Sequence, residues 1–169
     1  MSSMSNRIRA LREQQALNQK YETFVTEIDA LLKPVAAELT DAKSGQVVQL
    51  RKSAEYTNSI THVGDLLGGH QAAAFELTAP HTGWSKFWRL GLGRRIVGEV
   101  IVAMDWERGA DDKKKAGAKF VPIHVGVYTA KKNGAVMTYD AAGKTSDVIR
   151  ADLKREFQRA NVKQALSLN

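Results

Sequence analysis

The sequence predicts an α+β chain: an N-terminal helical hairpin or arm, a small antiparallel sheet of three to four strands, and a C-terminal helix packed on that sheet. Three observations carry this. Apolar residues recur at helical spacing through the first third of the chain. They alternate at period two from Ile96 to Trp106. They return to helical spacing after Ser146.

In the first third, Leu17, Tyr21, Phe24, Ile28, Leu31 and Val35 follow one another at steps of four and three, a seam of a/d type. Ser5 or Asn6 suits the helix start. Pro34 lacks an N–H and disfavours helical geometry at Lys33, so it should kink or restart the helix. Thr40 to Gly45 reads as a turn. Val47, Leu50, Ala54, Ile60, Val63 and Leu67 then suit a second helix ending at Gly68-Gly69, with Gln46 to Arg51 as a short strand the other option. Residues 1–69 thus form a helical arm and residues 70–169 a basic α+β domain, the two making one compact unit. The seam can pack on its own domain or, through Tyr21, Phe24, Ile28 and Leu31, join two copies into a homo-oligomer.

Gln71 to Thr78 suits a strand. Ile96, Gly98, Val100, Val102, Met104 and Trp106 make the clearest strand face in the chain. Phe120 to Thr129 suits the next strand, with Val121, Ile123, Val125 and Val127 on one face and Phe120, His124 and Tyr128 on the other. Asn133-Gly134 favours a tight hairpin, which would set Tyr128 opposite Tyr139. A single helix from Ser146 to Leu166 closes the chain, with Val148, Ile149, Leu153, Phe157, Ala160 and Leu166 as its apolar stripe.

The chain has 169 residues and no cysteine, which excludes disulfides, thiolate zinc sites and thiol catalysis. At this length it can bury roughly two thirds of its unfolded surface. The N-terminus lacks an apolar signal-peptide core, and the longest apolar run, Ile96 to Met104, is too short to span a bilayer. The expectation is a cytoplasmic protein. Net charge is +7, unevenly placed: residues 1–81 hold eight Lys/Arg against nine Asp/Glu, and residues 82–169 hold seventeen against nine. The C-terminal half therefore carries +8 and suits an acidic partner.

One segment concentrates the chemistry of such a contact: Gly83 to Arg95, GWSKFWRLGLGRR. Its aromatics can stack on bases, and its Lys and Arg can neutralise phosphates. Candidate contact residues are Trp84, Lys86, Trp88, Arg89, Arg94 and Arg95, extended by Lys113, Lys114 and Lys115 in one loop and Lys131 and Lys132 in another. Successive turns of a meander lie at opposite ends of its sheet, which argues against one continuous patch. The i, i+4 spacing of Trp84 and Trp88 also suits a buried anchor for a short helix.

Signals for catalysis are thin. His62, His70, His81 and His124 show no metal-binding spacing. Ile123 to Tyr128, IHVGVY, resembles the histidine strand of the NlpC/P60-type cysteine peptidases, but that chemistry needs a cysteine nucleophile and the chain has none. Gly143-Lys144-Thr145-Ser146 resembles the tail of a phosphate-binding loop, yet Thr138 stands where that motif needs its first glycine, so Thr145 or Ser146 reads better as a helix N-cap. The expected function is a non-catalytic binding protein without cofactor or metal, whose basic half contacts nucleic acid or an acidic protein surface. The alternative is a protein-binding adaptor, inhibitor or assembly component using the seam and the Trp84/Trp88 segment.

Overall fold

The computed structural model describes residues 2–53, 71–88, 93–111, 113–114, 117–131 and 134–169. Its elements, in chain order, are α1 (Ser2–Ala36), β1 (Gln49–Lys52), β2 (Gln71–Pro80), α2 (Gly83–Trp88), β3 (Arg94–Trp106), β4 (Phe120–Thr129), β5 (Ala135–Asp140), α3 (Ser146–Phe157) and α4 (Ala160–Leu166). The strands form one antiparallel sheet in the order β1-β2-β3-β4-β5. The α+β class holds, but the sheet has five strands rather than three or four.

The fifth strand is β1, the strand option for Gln46 to Arg51, where helical spacing also suited the start of a second helix. Pairing overrides its helical spacing: Thr78 Oγ1 donates to the Gln49 carbonyl at 3.2 Å, and the Arg51 guanidinium holds Glu76 across the strands at 2.6 Å. The remainder of that expected helix, residues 54–67, lies outside the described residues. Pro34 does not restart α1, because it falls in the last turn and the helix ends two residues later. The C-terminal helix is in fact two. Arg159 adopts extended geometry between α3 and α4, and the turn lets Val162 and Leu166 enter the same core as Ile149, Leu153 and Phe157.

One sheet face carries the main core. Phe75, Leu77, Val100, Val102, Val125 and Val127 lie there beneath Tyr21, Phe24, Ile28, Leu31, Val35 and Leu39 and beneath both C-terminal helices. The seam of α1 thus packs on its own chain. A smaller buried cluster, Ala72, Ala74, Ile101 and Ala103, occupies the other face, with Ile123 and Tyr128 against it.

Three register shifts, near Leu77, Ala103 and Val127, break the period-two count. Met104 pairs with Pro122 and Ala103 with His124, leaving Ile123 as the extra residue. Faces therefore swap along β4: Phe120 joins Val125, Val127 and Tyr139 in the main core, while Ile123 and Tyr128 face the other way. The β4–β5 connection is longer than the expected two-residue turn. Tyr139 faces Val125, and Tyr128 faces Ala135.

Asp41 pins three segments together. Its carboxylate is fully buried and accepts from the Ser44 amide at 2.8 Å, from the Ser44 hydroxyl at 2.6 Å, and from the Arg95 guanidinium. Alongside it, Ala42 N–H donates to Ser167 C=O and Asn169 N–H to Thr40 C=O, each at 2.9 Å. Burial alone would raise the Asp41 carboxyl, but the Ser44 bonds and Arg95 more than offset it and hold it below the ordinary range.

α1 contributes to the core only from Leu17 onward, and residues 3–16 are exposed throughout. Urea denaturation should therefore separate its two halves. Phe24→Ala should cost about 3–5 kcal/mol, whereas Leu11→Ala should stay within about 0.5 kcal/mol of the parent. Equal losses would disprove that boundary. Asp41→Asn should cost about 3–5 kcal/mol at neutral pH by stranding the half-buried Arg95. Because the folded carboxyl is depressed, its stabilisation is complete above the ordinary aspartate range and lost as pH falls through and below it. Asp41→Asn should therefore flatten the acid limb of the stability–pH curve, and an unchanged limb would contradict this role.

Candidate binding surfaces

α2 forms in the short link between β2 and β3, entered through Gly83 at φ 59°, a left-handed conformation that suits glycine. A six-residue helix at the end of a sheet has little of its own to bury. The expectation that Trp84 and Trp88 anchor it in the core is overturned: both are 78% exposed, and Phe87 between them is 69% exposed. The rings meet edge to face, Trp84 to Phe87 at 6.2 Å and Phe87 to Trp88 at 6.4 Å. Lys86 is exposed on the same helix. Three large aromatics stand together in water here, the kind of exposed apolar patch that is uncommon on a surface with nothing to contact.

The other basic candidates divide. Arg94 and Arg95 are half-buried and bonded to their own chain. Arg94 donates to the Thr78 hydroxyl at 3.0 Å and to the Thr78 carbonyl at 3.1 Å, and Arg95 holds Asp41. Both guanidiniums secure the start of β3. Lys131 is exposed at this same end of the sheet, since Thr129 pairs with Gly98. Lys113 and Lys114 lie beyond the far end of β3, about 40 Å away at the usual rise for its 13 residues. Arg89, Lys115 and Lys132 lie outside the described residues. The described basic candidates thus occupy two ends of the sheet and do not converge.

The far end holds a cluster not anticipated from the sequence. Trp106 stacks on Phe120 at 4.1 Å between ring centroids, and the ammonium groups of Lys114 and Lys20 lie 3.8 and 5.2 Å from the Trp106 ring. Lys20 also donates to the Ala118 carbonyl at 2.7 Å, closing the β3–β4 loop over the end of α1's packed half. Only the proximity of Lys113 to Lys115 hinted at a role here, and nothing in the sequence ties Lys20 to Trp106. Beside the cluster is a groove of about 480 Å³. Its charged lining is balanced, Asp105 and Glu107 against Arg108 and Lys144.

No catalytic constellation assembles among the described residues. His81 follows β2 at one end of the sheet and His124 lies towards the other, while His62 and His70 fall outside the described residues. No group of three or more His, Asp or Glu is placed to hold a metal among the described residues. Thr145 caps α3, its hydroxyl accepting from Val148 N–H at 3.4 Å, so the Gly143 to Ser146 stretch serves as a turn and cap. Tyr139 donates to Asp152, and burial, reinforced by that carboxylate, pushes its hydroxyl up to about 12, the wrong direction for a base at neutral pH. Among the described residues, no helix is long and apolar enough to cross a membrane.

Tryptophan emission should report this geometry. Acrylamide should quench Trp84 and Trp88 readily, and the Trp84→Phe/Trp88→Phe variant, left with half-buried Trp106, should be markedly less quenchable. An unchanged quenching constant would contradict the exposed placement. Comparison with protein-family models, with curated proteins and with solved structures finds no match to this chain.

Proposed function

We propose that the chain is a non-catalytic binding protein that holds an acidic partner, single-stranded nucleic acid first, at the α2 end of its sheet. The supporting observation is the solvent-facing set Trp84, Phe87 and Trp88 with Lys86 beside it. Unpaired bases stack on such rings at about 1–3 kcal/mol per base. The +8 charge of residues 82–169 supplies long-range attraction. In this reading Lys86, Arg89, Lys131 and Lys132 meet phosphates, while Arg94 and Arg95 hold the segment in place.

Fluorescence anisotropy with a labelled single-stranded oligonucleotide tests it. Four phosphate contacts predict a slope of about −3 for log K against log salt. Trp84→Ala and Trp88→Ala should each cost about 1–3 kcal/mol, and Lys86→Ala should lower the slope by about 0.7. Affinity indifferent to salt and to both tryptophans would sink the reading. A second reading, a protein-binding adaptor or assembly component, draws on the same edge-to-face aromatic trio as an interface hot spot. It predicts that the tryptophan variants abolish capture of a protein partner without changing oligonucleotide binding.

A further inference from the structure

The unpacked half of α1 is, among the described residues, a further surface that the core does not explain. α1 is 35 residues long, about 52 Å at the usual helical rise. Its packing begins near the β3–β4 end of the sheet, where the Tyr21 hydroxyl donates to the Ala72 carbonyl at 3.1 Å. Residues 3–16 stand off that end as about 21 Å of helix in water. On this arm Met4, Ile8 and Leu11 fall at i, i+4 and i+7, and all three are exposed. They do not extend the core seam, which continued backward at its own spacing would pass through Gln14, Ala10 and Arg7. The stripe is a separate face.

Its width and flanks identify what it fits. At 100° per residue the three side chains span an arc of about 60°, the narrow seam of a helix pair rather than the broad face of a membrane-lying helix. With Met4 at d, Ile8 at a and Leu11 at d, the flanking g and e positions hold Arg7, Arg12, Ser5 and Gln14, and no acid. Glu13 lies on the far side and pairs with Arg9 at 3.0 Å. Arg7 and Arg12 form no ion pair among the described residues. A parallel second copy would set Arg7 against Arg12 of its partner, and an antiparallel copy would find no carboxylate at these flanks either. We propose that residues 3–16 dock an amphipathic helix of an acidic partner protein, one with apolar a and d positions and Glu or Asp at e and g.

The test uses the full chain and two labelled synthetic helices of about three heptads, alike in Leu and Ile at a and d, one with Glu and the other with Lys at e and g. Anisotropy should show binding to the Glu peptide at least about tenfold tighter than to the Lys peptide at low salt. Ile8→Asp should abolish it. Arg7→Glu/Arg12→Glu should reverse the preference to the Lys peptide, a swap that loss of folding cannot produce. These positions are exposed, so the melting temperature should stay at the parent value. Equal binding of the two peptides, or no binding of either, overturns the proposal. So does a dimer in sedimentation that Ile8→Asp dissolves, which makes the stripe a self-association seam. Attachment to phosphatidylserine vesicles without attachment to the Glu peptide also overturns it, in favour of a lipid surface.

Discussion

Phe75, Val100, Val102 and Val127 point to the same side of a five-stranded sheet, and water must be kept from all of them. The chain does this with segments from both ends of its sequence: Tyr21 to Leu39 from before the sheet, and Ile149 to Leu168 from after it. Everything else follows from that cover. The packed half of α1 is committed to it, so the seam that could have joined two copies is spent inside one. The break at Arg159 lets two short helices follow the sheet where one straight helix would leave it. Among the described residues, 3–16 and α2 are segments that the cover does not use.

The cover is fastened by a charge pair that the sequence offers no reason to single out. Asp41 sits in an ordinary turn, TDAKSG, and Arg95 in a run of basic residues that reads as a phosphate contact. Together they close the loop after α1 onto β3, next to the bonds between residues 40–42 and 167–169. A guanidinium bonded to a buried carboxylate keeps its formal charge while losing most of its reach to a polyanion outside. Composition counts such charges as available, and the sheet order determines where they go. In a meander, successive connections alternate between ends, so Lys86 and Lys131 share one end and Lys113 and Lys114 take the other.

Much of the architecture was nevertheless legible. The a/d spacing of Tyr21, Phe24, Ile28 and Leu31 found the packed half of α1, the alternation from Ile96 to Trp106 found β3, though the bulge at Val97 puts Val97 in the core and leaves Ile96 exposed, and Thr145 found the start of α3. The failures have physical causes that single-residue spacing does not carry. Periodicity assumes that every residue advances the count, and a bulge such as that at Ile123 does not, so Phe120 and Tyr128 ended on opposite faces. Whether Gln46 to Arg51 was strand or helix stayed open because β1 is stabilised across strands, through Gln49 and Arg51 to partners some 25 to 29 residues away. Trp84 and Trp88 have the spacing of an anchor, but a spacing does not say whether a surface exists for it to grip.

A meander in the order β1 to β5 has two outer strands, and among the described residues no further strand pairs with either of them. Such a margin invites a strand from another molecule, the route by which sheets merge and proteins precipitate. Here one margin is only four residues long and carries Arg51 and Lys52, and the other is six residues long with α4 packed against it. A short charged border resists extension. Strand addition is thereby disfavoured at both margins.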